Sequence, residues 1–380
     1  MKKKALMYAS VASMIQQFNM DNIRLLQELG YEVDVACNMK QGSTITDEKV
    51  SLMKSELETM GVHVYHIPVP RSITNIKDIW KSFWITRKLI NEQEYSLIHC
   101  HSPIGGMICR LANRLSKWYG QVRMIYTAHG FHFYKGAPKI NWLLFYPIER
   151  ICSCYSDVLI TINQEDYALA KRKMKSKLCV YVPGVGVDLQ KFKKVSLTEK
   201  SKFRILGVSD KDTVLVSVGE LKKKKNHEVV IRALSRLNNP NYKYFICGLG
   251  PLEHRLEKLI LDLKMQSNIR LLGYRSDIAE ILNMADVYVF PSLQEGLPVA
   301  LMESMAAGKA VACSRIRGNT DLVDSNGGVL FDPHSVDDCT MAIDQLLHSN
   351  LAKMGEYNSN KIRGFSKETV RELMSKIYSK

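Results

Sequence analysis

Val287-Tyr288-Val289-Phe290-Pro291-Ser292, followed by Glu295-Gly296-Leu297-Pro298-Val299-Ala300-Leu301-Met302-Glu303, is the stretch on which the reading of this chain turns. Val287–Phe290 has the apolar, β-rich character of a buried strand, and Pro291-Ser292 turns the chain. Pro298 suits the first turn of a helix, where its missing N–H costs nothing. Glu295 then lies in the loop before the helix and Glu303 about a turn and a half inside it. Backbone N–H groups near Leu297, Val299 and Ala300 lack helical acceptors and form an anion site. Two carboxylates, which only accept hydrogen bonds, suit the hydroxyls of a sugar and a ribose. Taken alone, the stretch fits a helix-capping Glu295 and a solvated Glu303 equally well.

The same strand, loop, helix pattern repeats along the chain. Strands are expected at residues 5–9, 32–36, 63–67, 97–100, 124–127, 158–162 and 179–182 in the first half. In the second half they are expected at 214–218, 244–247, 269–272, 287–290, 310–313 and 329–331. Alternation with amphipathic segments implies two doubly wound parallel sheets in an α/β chain. The lysine-rich stretch around 190–205 reads as the linker, giving domains at 1–195 and 205–360. Residues 361–380 form a terminal helix returning to the first domain.

In open α/β sheets, ligands bind beyond the carboxyl ends of strands. There, Gly219-Glu220-Leu221 runs into Lys222-Lys223-Lys224-Lys225-Asn226, placing positive charge at a strand-to-helix loop. Lys222–Lys224 read as solvated surface, whereas Lys225 is the candidate for a diphosphate contact. Gly248-Leu249-Gly250-Pro251 is a weaker signal of the same kind, since glycines permit close backbone approach.

The 380 residues carry 46% hydrophobic and 24% charged residues, enough apolar surface for two cores and too much for a disordered chain. Nine scattered cysteines without metal-type spacing read as reduced thiols of a cytoplasmic protein. Lys2-Lys3-Lys4 and the apolar run to Ile15 resemble a signal peptide but read better as a first buried strand. The net charge of +15 is concentrated in residues 1–200, which hold 28 Lys and Arg against 17 Asp and Glu, a net of +11. Such a surface attracts anionic membranes, nucleic acid or phosphorylated substrates. No recognition motif supports nucleic acid.

The ordered motifs resemble the family-4 glycosyltransferases. The resemblance is dense from Gly219 to Asp332, including Gly273-Tyr274 and Met305-Ala306-Ala307-Gly308-Lys309. In the first half it rests on His99 and His101, on Thr127-Ala128-His129-Gly130, and on Pro183-Gly184-Val185-Gly186-Val187-Asp188. It implies the glycosyltransferase B fold, two facing Rossmann-like domains with an interdomain cleft. Carried over by position, it implies that Lys225 binds the donor diphosphate, Glu303 the ribose, and Glu295 the transferred sugar. Gly219, Gly250 and the backbone of Gly296, Leu297, Pro298, Val299 and Ala300 would share the donor. Gly273, Tyr274 and Arg275 would flank the base, and His129 would reach across the cleft to the reacting sugar. Ser10, Ser13 and His101 are the acceptor-side candidates.

Two departures from the family stand out: Glu220 occupies a position where an arginine is usual, and Ser10-Val11-Ala12-Ser13 replaces a glycine-rich loop. Lys225 and the helix N-terminus can stabilise a leaving diphosphate without a metal. Asp210-Lys211-Asp212, the only Asp-x-Asp, reads as a surface turn. The expectation is a retaining transfer from a nucleotide sugar, uridine diphosphate by family prevalence, with no cofactor and no metal. A nucleotide-sugar epimerase or an enzyme with a soluble acceptor is the alternative. Ile76, Ile79, Trp80 and Phe83 lie among Lys77, Lys81, Arg87 and Lys88, and Trp142-Leu143-Leu144-Phe145 follows a second basic stretch. Basic amphipathic surface of this kind suits an anionic bilayer, although packing of both helices on their own sheet explains the same periodicity. The expectation is a peripheral enzyme on the inner face of the plasma membrane with a lipid-linked saccharide acceptor.

Overall fold

A computed structural model describes residues 3–41, 45–193, 207–209, 211–237 and 241–380. The chain gathers into two compact units, Met1–Val185 together with Val370–Lys380, and Gly186–Thr369. Most of the expected 190–205 linker, and Asp210, lie outside the described residues. Val187 bridges to Ser366, so the chain already belongs to the second unit there, earlier than its lysine content suggests.

The first unit is built on β1 (Lys4–Val11), β2 (Glu32–Asn38), β3 (His63–His66), β4 (Leu97–His101), β5 (Arg123–Ala128), β6 (Val158–Thr161) and β7 (Leu178–Tyr181). These form one sheet in the order β3-β2-β1-β4-β5-β6-β7, and its pairings are parallel. Parallel neighbours need crossovers, which the intervening helices supply. Side chains alternate across β1: Ala5, Met7 and Ala9 enter one core, Leu6 and Tyr8 the other. Both faces of this strand are therefore covered. The terminal helix Lys367–Tyr378 buries Val370, Met374, Ile377 and Tyr378 in the core that holds Ala5, Met7 and Ala9.

The second unit carries β8 (Thr213–Val218), β9 (Tyr242–Cys247), β10 (Ile269–Gly273), β11 (Val287–Phe290), β12 (Ala310–Ser314) and β13 (Gly328–Phe331). Their order is β10-β9-β8-β11-β12-β13. All strands expected from the sequence form, with ends displaced by no more than two residues. In each sheet the order reverses once, between β1 and β4 and between β8 and β11. Crevices at such reversals are where α/β sheets bind ligands.

The first sheet also buries a charge. Arg110, in the helix Pro103–Arg114, is fully buried and lies 3.8 Å over the Tyr126 ring. It donates to Glu149 Oε2 at 2.8 Å, and Tyr126 donates to Glu149 Oε1 at 2.8 Å. Glu149 belongs to the helix Lys139–Ser153, so this pair ties two helices to β5. Removing one partner leaves an uncompensated buried charge. Glu149→Leu is expected to lower stability by about 3–5 kcal/mol in denaturant melts. The double change Arg110→Met with Glu149→Leu should recover most of that loss.

Candidate active site

The loops at the carboxyl ends of β8, β9 and β10 are stacked backbone on backbone. Gly219 N donates to Cys247 O at 2.9 Å, Leu221 N to Leu249 O at 3.0 Å, and Gly248 N to Gly273 O at 2.8 Å. A Cβ on Gly248 would lie 1.9 Å from Gly219 O, and one on Gly250 would lie 2.5 Å from Leu221 O. Both glycines therefore let the lysine loop come close, and Gly250 serves that approach by its missing side chain.

That loop tightens into a single turn, Lys223–Lys225, and ends at Asn226 in the left-handed region, φ 55°. Asn226 Nδ2 fastens the turn by donating to Pro291 O and Pro333 O, and Leu293 N donates to Lys224 O. Lys222, Lys223 and Lys224 point into solvent. Lys225 alone is turned inward, its Nζ 2.8 Å from Glu295 Oε1 and 5.1 Å from the centre of the Phe290 ring. Glu220, the residue of the wrong sign for a phosphate site, is held at 2.8 Å by Lys222, and both are about half exposed. Its charge is compensated by that partner. Beneath the turn lies His227, 4% exposed, against the Gly219-Glu220 backbone. Burial, then the Lys225 charge, lowers its pKa to about 4, so it is neutral.

On the other side of the reversal, the helix runs Val299–Ala306 and Pro298 is its N-cap, with extended φ −80° and ψ 119°. This corrects the placement of Pro298 inside the first turn. Proline has no side-chain acceptor with which to cap. The first helical bond is Met302 N to Pro298 O. Val299 and Ala300 N–H groups precede it and have no helical acceptor, while Leu297 and Pro298 are buried behind them. Glu303 is mostly buried, and its carboxylate makes no hydrogen bond among the described residues. Burial pushes its pKa up to about 7 against the opposing pull of Lys191.

Two residues the sequence reading passed over hold Glu295 in place. Arg317 Nε donates to Glu295 O at 3.0 Å. Gly318, at φ 79°, sits so close that a Cβ there would lie 2.2 Å from Gly296 O. The available signal was positional, since Arg317-Gly318 follows β12 as the other motifs follow their strands. At the β10 end, Gly273 takes φ 64°, Tyr274 is 67% exposed, and Arg275 is paired with Asp277 at its guanidinium. Among the described residues, no group of three or more His, Cys, Asp or Glu could hold a metal ion.

In the first unit, His129 stands at the end of β5, partly exposed, with its Nε2 3.0 Å from His101 Nδ1. The acceptor-side candidates are all buried. His101 is 1% exposed, Ser10 8% and Ser13 4%, and Ser10 Oγ accepts from Gly105 N at 3.1 Å. Strand β1 passes directly into the helix Ala12–Phe18, because Val11 stays extended up to the helix start. The expected open loop is absent there, and these side chains are packed rather than presented.

Comparison with known proteins adds an independent result. The family model described as Glycosyltransferase Family 4 matches residues 16–190, and that described as Glycosyl transferases group 1 matches residues 198–362. A putative glycosyltransferase, EpsD, of Bacillus subtilis is 33% identical over 386 residues, covering 100% of this chain and 97% of the relative. The UDP-Gal:alpha-D-GlcNAc-diphosphoundecaprenol alpha-1,3-galactosyltransferase of Escherichia coli is 29% identical over 331 residues, covering 85% and 82%. The crystal structure of Anabaena Alr3699/HepE in complex with UDP and glucose shares the fold, with TM-score 0.75 over 99% of each chain at 16% identity.

The Gly318 contact gives a direct test of how the Glu295 loop is held. Gly318→Ala is expected to leave helical content unchanged by circular dichroism and to weaken binding of uridine diphosphate at least about tenfold, by displacing the Glu295–Leu297 backbone. Undiminished binding would mean that the loop does not depend on this approach.

Proposed function

The chain belongs to the family-4 glycosyltransferases, and from that premise we propose that it moves a sugar from a uridine diphosphate donor, with retention, onto a lipid-linked saccharide at a membrane surface. The observation that carries the donor half is the meeting of Lys225 and Glu295 at 2.8 Å, beside the uncapped start of the Val299–Ala306 helix. A diphosphate offered to this place competes with Glu295 for the Lys225 ammonium. Once Lys225 turns to phosphate, Glu295 is left as an acceptor for hydroxyls of the transferred sugar. Glu303, one turn into the helix, takes the ribose hydroxyls, and Tyr274 with Arg275 borders the base.

Cleavage of the bond from the anomeric carbon to the diphosphate leaves negative charge on phosphate oxygen. Lys225 and the N–H groups of Val299 and Ala300 are positioned to meet that charge. These groups are what the proposal of transfer without a resident metal rests on. In a retaining displacement the acceptor oxygen bonds to the anomeric carbon on the face the diphosphate leaves, and its proton passes to a departing phosphate oxygen. We assign His129 to the reacting sugar. A UDP donor is supported by the name of the Escherichia coli relative and by the ligands of the Anabaena structure.

The acceptor half is supported by that relative's name, which carries an undecaprenol diphosphate-linked sugar, and by the surface of the first unit. Ile76, Trp80 and Trp84 on the helix Ile76–Gln93 are 73%, 63% and 45% exposed, and Leu143 on the helix Lys139–Ser153 is 71% exposed. Exposed Lys77, Lys81, Lys88 and Lys139 lie among them. Apolar and aromatic side chains edged with lysine suit the interface of an anionic bilayer. Among the described residues, no helix is long and apolar enough to cross a membrane.

Calorimetry tests the donor site. A nucleoside diphosphate panel should select uridine diphosphate, and Lys225→Ala and Glu303→Ala should each weaken it about tenfold to a hundredfold, as expected for lost charge-assisted bonds. The pH dependence has a fixed sign. Burial raises the Glu303 pKa to about 7, and the form that accepts ribose hydroxyls is ionised. Affinity for UDP-glucose, whose diphosphate has no group titrating near neutrality, should therefore rise with pH and level off above about 7, and Glu303→Gln should flatten the profile. Equal weak binding by all variants would sink the donor assignment.

Liposome flotation tests the surface. At low salt the protein should float with vesicles containing phosphatidylglycerol, and Trp80→Ser with Leu143→Ser should release it. Indifference of the wild type to such vesicles would remove the membrane from the proposal.

A further inference from the structure

The carboxyl ends of β4 and β5 carry three histidines in contact. The His99 and His101 ring centroids are 4.1 Å apart, and those of His101 and His129 are 5.3 Å apart. His99 is held on both sides, by Tyr378 Oη at 2.7 Å and Thr127 Oγ1 at 2.8 Å. His101 is held by His129 Nε2 at Nδ1 and by Met7 Sδ, 3.2 Å from its Nε2. The backbone following His101 is strained, since Ser102 takes φ 69° and ψ 148°, a region seldom occupied by residues other than glycine. Pro103 starts the next helix, and Gly106 N donates to Ser102 O at 2.7 Å, which holds the turn. Strain kept beside a buried histidine suggests that the ring's placement matters.

Proton bookkeeping settles how this chain of rings is wired. Burial lowers the pKa of His101 well below the usual imidazole value, helped by His99 and His129, and lowers that of His129 to about 4. Both rings are neutral near pH 7, so each carries a single N–H. A thioether sulfur has no proton to give. His101 Nε2 must carry the hydrogen toward Met7, because the alternative sets two lone pairs against each other. His101 Nδ1 is then an acceptor, and the hydrogen of the 3.0 Å contact belongs to His129 Nε2. His129 Nδ1 is left without a proton.

We propose that His101 is a positioning residue that, braced by Met7, fixes the tautomer of His129 so that its bare Nδ1 accepts a hydrogen bond from a hydroxyl of the transferred sugar. The inference rests on the assignment of His129 to the sugar. It replaces the acceptor-contact role expected for His101 with action through its neighbour. It also sets a selectivity: a sugar must offer a donor hydroxyl to His129, and a group that can only accept is rejected.

The test uses the full chain labelled with 15N on histidine, with UDP release from UDP-glucose and UDP-galactose in water as the activity. Long-range proton–nitrogen spectra, assigned with His129→Gln and His101→Asn, should show His129 protonated at Nε2 and bare at Nδ1. His101→Phe keeps a ring and removes the acceptor. It should mix the His129 tautomers and lower kcat/KM about tenfold, the scale of one hydrogen bond, while UDP affinity stays at the wild-type value. His101→Asn, whose Oδ1 stands where Nδ1 stood, should recover most of the rate. Met7→Leu preserves side-chain volume and should shift the His129 proton toward Nδ1.

A wild-type spectrum with the proton on His129 Nδ1 overturns the proposal. So does His101→Phe with both tautomer and kcat/KM unchanged. Should the spectra come out as stated while His129→Ala retains full kcat/KM, the assignment of His129 to the sugar fails, and the role proposed for His101 fails with it. The spectra distinguish that outcome from a failure of the relay.

Discussion

The approach of bare backbone to bare backbone at the carboxyl edge of the second sheet is the constraint on which the rest depends. Gly248 and Gly250 admit the Gly219–Leu221 loop, and Gly318 admits Gly296, at separations no side chain could share. Because these contacts are between main chains, they set loop positions that rotamers cannot adjust. Asn226, Arg317 and the helix start at Val299 then take their places relative to that frame. Without the glycines, the inward turn of Lys225 and the carbonyl held by Arg317 would lose their common reference.

Charge is handled in three ways in this chain. In the second unit, opposite charges meet at partial exposure, and burial outweighs the pull of Lys191 on the Glu303 carboxyl and raises its pKa to about 7. In the histidine cluster of the first unit, desolvation works against charge: the pKa values of His99, His101 and His129 are all lowered and the rings are neutral. Neutral rings have a direction, since one nitrogen gives and the other takes, whereas a protonated ring only gives. The buried Arg110–Glu149 pair shows the third solution, a charge kept inside by a partner and a tyrosine.

The sheets were fully legible because parallel strands buried on both faces are written as short apolar runs, and every one of these runs became a strand. Lys225, Glu295 and Glu303 stood out because each follows the carboxyl end of a strand, and the structure brings the first two within 2.8 Å of each other. Three things were not legible. Pro298 proved a cap because cap and first-turn positions differ only in ψ, which a residue type does not encode. Ser10, Ser13 and His101 were acceptor-side candidates on the resemblance alone, and their burial was not legible because nothing in the motif shows that β1 runs straight into a helix. Arg317 and Gly318 escaped notice because their partner is a main-chain oxygen, which leaves no mark in the composition of a motif. The sign of Glu220 was resolved only by its neighbour Lys222.

The Lys225–Glu295 contact also bears on what the resting enzyme ignores. An unpaired ammonium at a helix start would attract phosphate esters of every kind. With its counter-charge built in, the Lys225 ammonium itself has little net charge to offer a passing anion. A simple phosphate can claim the lysine but gives Glu295 nothing in return. A ligand that brings a diphosphate and a polyol together satisfies both partners as it separates them. Under the proposed donor assignment, discrimination among anions falls to the second half of the ligand, before any chemistry begins.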